Sequence, residues 1–257
     1  MSIAYVVTGF GVGFLVGLTG VGGGSLMTPL LALLFGVSPT VAVGTDLAFA
    51  SVTKVAGTLA HRYRGTVHWN IVRLLCCGAI PAALFATLAL KHFGALDQSI
   101  AQVIRYSIAC SVLLTVVALL FRSKMQGWIV LHPEKQLQGT PLAIATILAG
   151  FILGTLVTVS SIGAGAIGAT LLVLLYPRLS PAEIAGTDIA YAVPLTAIAA
   201  AGHWWLGSLD WVLMITLLIG SVPGITLGSL AARAIPEKFL RGLLALTLTS
   251  VAYKLIF

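Results

Sequence analysis

Residues 100–121 and 211–232 are long, predominantly apolar runs. Each is long enough as a helix, at about 1.5 Å per residue, to cross a hydrocarbon core of about 30 Å. No other feature constrains the fold as strongly, because in lipid every backbone polar group must be bonded internally, which favours helices here. Composition agrees. Only 21 of 257 residues are charged (14 Lys+Arg, 7 Asp+Glu), and 59% are apolar. So few charges could not cover a water-soluble surface of this size. The expectation is an all-α polytopic membrane protein embedded in a lipid bilayer. The first segment has no basic start and no small-residue cleavage site, and is read as a retained segment. The net charge of +7 is assigned to cytoplasmic loops, since no basic cluster is interleaved with aromatics and no nucleic-acid partner is expected. Cys76, Cys77 and Cys110 lie in apolar runs and read as small buried hydrophobes. No cofactor and no metal site is read.

The chain is also one pattern written twice. Gly9-Phe10 and Gly13 recur as Gly150-Phe151 and Gly154; Gly22 and Gly24 recur as Gly163 and Gly165. Ser38-Pro39 recurs as Ser180-Pro181, and Gly44-Thr45-Asp46 as Gly186-Thr187-Asp188. His61, Gly65 and Trp69 match His203, Gly207 and Trp211, and Gly78 and Pro81 match Gly220 and Pro223. The offset is 141, then 142 after one inserted residue near Arg178. The expected division is residues 1–121, a cytoplasmic linker 122–141, and 142–257.

Each half holds five apolar segments: 4–18, 25–36, 41–60, 69–91 and 100–121, then 143–159, 166–176, 182–202, 211–232 and 242–256. The second of each set is too short to span, at about 1.5 Å per residue. A glycine tract joins it to the first, itself short. One hairpin of two short helices in each half, broken or re-entrant and meeting its counterpart near the midplane, fits this pattern and gives six full spans and two hairpins; ten full spans with tight turns is the competing reading. Sorting the basic loops to the cytoplasm puts 61–68, 122–140, 177–181 and 233–241 inside. It puts 36–39, 92–99, 203–209 and both termini outside. Matched loops then lie on opposite sides, so the halves are expected to be inverted-topology repeats, a layout common in secondary transporters.

The glycine tracts are the first chemical candidates: Thr19, Gly22, Gly23, Gly24 and Ser25, and Ser160, Ser161, Gly163 and Gly165. A half-helix beginning at such a tract aims its free N–H groups and positive dipole end into it, and glycine lets an anion approach the backbone. The competing reading is close helix packing or a tight turn. Asp46 and Asp188 come next, each expected about six residues inside its span. A carboxylate at that depth is costly and marks function. With Thr45 and Thr187, the two could couple transport to protons or accept N–H groups at a helix break. Lys54 could attract an anion, pair with Asp188, or snorkel. His61 and His203 are expected at span ends, with a proton relay as the sharper alternative. Trp204, Trp205 and Trp211 read as an interfacial belt.

On these residues the chain resembles the TauE/SafE family of sulfite and organosulfonate exporters. The resemblance rests on Leu18 to Ser25, the short apolar helix after it, and Val43-Gly44-Thr45-Asp46-Leu47. It rests equally on Ile162 to Gly165 and Ala185-Gly186-Thr187-Asp188-Ile189. It implies a plasma-membrane transporter of small sulfur oxyanions or related organic anions, not an enzyme. An anion channel is the alternative. An intramembrane serine hydrolase using Ser25 with His61 or His203 is a distant third. A homodimer is a compatible assembly.

Overall fold

The computed structural model describes residues 3–19, 24–94, 97–131, 136–231 and 237–256. Among them are ten helices and no strand: α1 (Ile3–Thr19), α2 (Gly24–Leu34), α3 (Pro39–Tyr63), α4 (Trp69–His92), α5 (Gln98–Leu131), α6 (Gly139–Ser160), α7 (Ala166–Leu175), α8 (Pro181–Trp205), α9 (Trp211–Ala231) and α10 (Glu237–Ile256). Five segments are long and apolar enough to cross a membrane: α4, Gln98–Phe121 of α5, α6, α8 and Trp211–Gly228 of α9. α3 matches α8 at 25 residues. It is the less apolar of the two, carrying Asp46, Lys54, His61 and Arg62. Leu84, Phe85, Leu88, Val103, Leu148, Ile152, Ile215, Ile219 and Val222 are all exposed. An apolar outer face on that scale suits lipid rather than water.

The repeated Ser-Pro opens α3 and α8. Ser38 and Ser180 are the N-caps, and Pro39 and Pro181 take the first helical position, where a missing N–H costs nothing. In half two the cap is a full capping box: Ser180 Oγ accepts from Glu183 N at 3.3 Å, and Ser180 N donates to Glu183 at 2.8 Å.

The repeated glycines of the long helices set the packing. A Cβ on Gly150 would meet Leu75 O, one on Gly154 would meet Ala79 O, and one on Gly78 would meet Ile147 O, so α4 and α6 run parallel with their backbones touching. The same holds for Gly9 at Leu217, Gly13 at Ser221 and Gly220 at Val6, which place α1 parallel to α9. Close approach through small residues is the usual route to helix association in lipid, where apolar surface offers no advantage over the acyl chains. α3 and α8 cross in the middle, antiparallel, with Gly44 against His203 and Ser208 and Gly186 against His61 and Thr66. α5 packs on α10. Exchanging the halves maps this set of helix pairs onto itself.

Three expectations are corrected. The polar stretch from Arg122 continues α5 as helix to Leu131 instead of ending it at 121. α6 begins at Gly139, ahead of the expected 143, so at 22 residues it reaches about 33 Å and is not a short arm. Cys77 and Cys110 are exposed and Cys76 is half-buried, because an apolar run in a membrane protein has an outer face as well as an inner one. The short partners stay short: α2 has 11 residues and α7 has 10, about 17 and 15 Å.

Helix ends meet in two places. Lys91 Nζ lies 3.5 Å over the Trp205 ring, and Trp204 meets Trp211 edge-on at 5.9 Å. The three tryptophans are exposed, as a belt requires. At the other ends of α4 and α8, His68 Nε2 lies 2.8 Å from Glu183 Oε1.

Candidate functional site

The second glycine tract is a sharp break. α6 ends at Ser160; Ser161 then takes the left-handed conformation (φ 59), and Gly163 and Gly165 follow at φ 137 and 124. Glycine adopts such angles without a Cβ penalty; Ser161 does so at some cost, which suggests its hydroxyl is needed there. α7 starts at Ala166. Gly168 N and Ala169 N reach back to Gly163 O and Gly165 O at 2.8 and 2.9 Å. The N–H groups of Ala166 and Ile167 lie ahead of those bonds and have no partner within the helix.

Both aspartates converge on this break. Asp46 is fully buried. Its Oδ2 accepts from Thr28 Oγ1 of α2 at 2.6 Å and from Ser161 Oγ at 2.9 Å. Its Oδ1 is buried with no hydrogen bond among the described residues. Asp188 is 2% exposed, and a Cβ on Gly168 would run into its Oδ1, so this carboxylate lies against the first turn of α7. The Tyr191 hydroxyl is 3.0 Å from the same point, fully buried and without a hydrogen bond among the described residues. Lys54 is only 9% exposed and lies within Coulombic range of both aspartates. It is a base of the interior and has not snorkelled out.

The rest of the Gly-Thr-Asp motif serves packing. Thr45 Oγ1 accepts from Asp210 N and Thr187 Oγ1 accepts from His68 N, each at 3.1 Å. Each threonine thus holds the loop that starts a helix of the opposite half. α3 and α8 run unbroken through both motifs, so the break that a capping aspartate would need is not within these helices.

The histidines close loops in the same symmetric way. His61 Nδ1 is 2.8 Å from Thr66 Oγ1, and His203 Nδ1 is 2.9 Å from Ser208 Oγ. His203, in the last turn of α8, is fully buried, and its Nε2 lies 2.9 Å from Thr158 O, a carbonyl in the last turn of α6. Ser160 turns away from Asp46: its Oγ donates to Leu156 O at 2.7 Å and to Ser111 Oγ of α5 at 3.1 Å.

Of the first tract, Gly22 and Gly23 lie outside the described residues, as do the side-chain positions of Thr19, Gly24 and Ser25; Gly24 opens α2. Sequence reasoning missed Thr28, Tyr191 and Gly168. Tyr191 had a signal, since it follows Asp188 by three residues and so shares its helix face. Thr28 had a weaker one, as a hydroxyl inside a short apolar helix.

The sequence pattern described as "Sulfite exporter TauE/SafE" matches residues 5–255. The chain is 37% identical over 232 residues to "Probable membrane transporter protein YjnA" of Bacillus subtilis, covering 89% of each chain. It is 27% identical over 253 residues to "Probable membrane transporter protein YdhB" of the same organism, covering 96% of this chain and 97% of that one. A "Probable membrane transporter protein" of Xylella fastidiosa is 26% identical over 226 residues, 86% of this chain and 81% of its own. All three are named as membrane transporters, not as enzymes. No solved structure matches the chain.

Proposed function

The chain belongs to the TauE/SafE family of multi-pass membrane transporters, and on that premise we propose that it is a secondary transporter exporting a small anion such as sulfite or a sulfonate. The observation that carries this reading is the α6–α7 break. A left-handed serine, two glycines at positive φ and the first N–H groups of α7, which precede its helical hydrogen bonds, meet at one break. Free N–H groups at a helix start, with glycine in place of side chains, suit an oxyanion. Gly163, Gly165 and Ser161 would form its cradle, joined by the first tract.

Alternating access would come from two inverted repeats in the plasma membrane, both termini outside. The parallel pairs α1/α9 and α4/α6 and the antiparallel α3/α8 crossing support that layout, since a path with matched loops on opposite faces requires those directions. Asp46 and Asp188 would couple the cycle to protons.

Reconstituted vesicles test the reading. Sulfite accumulated uphill under an imposed proton gradient is expected; flux that never exceeds equilibration would favour an anion channel. Gly163→Leu should block anion binding while the protein still inserts, because the position has φ 137 and a Cβ would stand 3.2 Å from Val157. Normal binding by that variant would contradict the cradle.

A further inference from the structure

We infer that the Asp46 carboxylate is a built-in stand-in for the substrate anion: it occupies the hydroxyl donors that the anion needs and gives them up on taking a proton. This rests on the anion-transport reading above and says how the proton and the anion are linked.

Three observations carry it. Asp46 Oδ2 holds two hydroxyls from separate elements, Thr28 of α2 and Ser161 of the α6–α7 break. Such a pair of donors on one buried oxygen atom is how an oxyanion would be held. Ser161 keeps a left-handed backbone to reach it, while the matching position in half one, Gly20, has no hydroxyl to offer. Third, Asp46 Oδ1 is buried and makes no hydrogen bond among the described residues, which leaves it open to a proton while Oδ2 is engaged.

Charge balance sets the direction of the linkage. Lys54, on the same helix as Asp46, lies in Coulombic range of it and of Asp188, which sits with Tyr191 on α8 against Gly168. Among the described residues, α2 and the break contribute Thr28 and Ser161. His203 and Asp210 sit one or two residues away, against Gly44 and Thr45. With both carboxylates ionised and the Lys54 ammonium protonated, the centre carries one negative charge. An anion entering it would double that charge in a water-poor site, where the cost is several-fold higher than in water. If Asp46 binds one proton as the anion arrives, the net charge is the same empty and loaded. The neutral carboxyl is then the weaker acceptor, and the hydroxyls of Thr28 and Ser161 turn to the ionised oxygen atoms of the substrate. The only bond made is O–H on Asp46, with the proton drawn from water. Proton and anion therefore travel together, so export runs while the outward anion gradient exceeds the inward proton gradient.

The test uses purified full-length protein and methanesulfonate, an anion whose own charge does not change between weakly acidic and weakly alkaline buffer. Binding is followed by calorimetry, and proton uptake by a pH electrode in lightly buffered solution. Wild type should bind about tenfold more weakly per pH unit of rise and take up one proton per anion, as single-proton linkage demands. Asp46→Asn should bind with no slope and no uptake. Ser161→Gly, at a position whose backbone suits glycine, should keep the slope and lose affinity. Wild-type binding without slope, or a slope retained in Asp46→Asn, would overturn the inference and leave anion transport standing. If neither sulfite, sulfate nor methanesulfonate binds the wild type, the transport reading falls and this inference with it. Should Asp46→Asn fail to fold, Thr28→Val combined with Ser161→Gly substitutes. It removes both donors while leaving Asp46 ionisable, and unchanged affinity in that variant would equally overturn the inference.

Discussion

The two halves share a scaffold and differ in chemistry. Gly44 and Gly186 admit a loop of the other half, Thr45 and Thr187 each bond a backbone N–H there at 3.1 Å, and His61 and His203 each meet a hydroxyl five residues on. The aspartates that complete the two motifs have different surroundings. Asp46 is held by Thr28 and Ser161, whereas Asp188 faces Tyr191, with Lys54 in range. In place of Thr28, Tyr191 and Ser161 the other half has Ala169, Phe49 and Gly20. Packing has kept its two-fold pattern, and the side chains around the two carboxylates have not. A duplicated scaffold therefore does not imply duplicated roles, and the two carboxylates should separate on mutation.

The largest effects should fall on the shared scaffold and fall equally. Gly78→Val and Gly220→Val each drive a side chain into a backbone carbonyl that cannot move aside. Overpacking costs about 1 to 3 kcal/mol, and more where the obstacle is backbone, so the yield of monodisperse protein after detergent extraction should fall sharply in both. Good yield of either variant would break the symmetry claimed for the helix pairs.

Next in size is the contrast between the carboxylates. Asp46→Asn should change the pH profile of transport, with Asp188→Asn altering it differently because its neighbours are Tyr191 and Lys54. Coincident profiles for the two variants would show that the differences in surroundings have no functional weight.

Smaller still is the loss of one cross-half hydrogen bond. Thr45→Val and Thr187→Val each orphan one backbone N–H, at about 1 to 3 kcal/mol. Thermal unfolding in detergent should fall by similar amounts in both; a drop confined to one would place the structural role in that half alone.

The smallest effect should come from Glu183→Gln, which weakens the exposed His68 pair at one end of α4 and α8. The matching positions are Val41 and Asp210, so no equivalent pair exists at the other end. The expected result is a slight, salt-sensitive shift in how this end of the helix pair opens, read by cysteine accessibility near Glu183. No change at low salt would remove that latch from the comparison.

Much of this architecture is legible in the residue order. Ser-Pro marks both long helix starts because serine caps and proline suits the first turn. The spacing of Gly9, Gly13, Gly78, Gly150, Gly154 and Gly220 marks the interfaces, though not which helix each would meet. Partners were invisible because α1 packs on α9 and α4 on α6, contacts that cross the halves and leave no trace in local periodicity. The start of α6 at Gly139 was missed because Gly139-Thr140-Pro141 reads as linker until packing holds it. The same limit applies to the site. Asp46, Ser161 and the glycines stand out as polar or helix-breaking residues in apolar surroundings. Thr28 does not, since its importance comes from meeting a residue 18 positions away.

The most direct test is where an anion binds. A structure of the protein soaked with selenite, a sulfite analogue located by its anomalous scattering, should show one buried selenium. It should lie at the α6–α7 break, within hydrogen-bond reach of Ser161 and the first N–H groups of α7, with Asp46 no longer holding both hydroxyls. Selenium found only at the outer surface, for example in the groove of about 520 Å³ lined by Leu30, Leu246 and Lys254, would contradict the account.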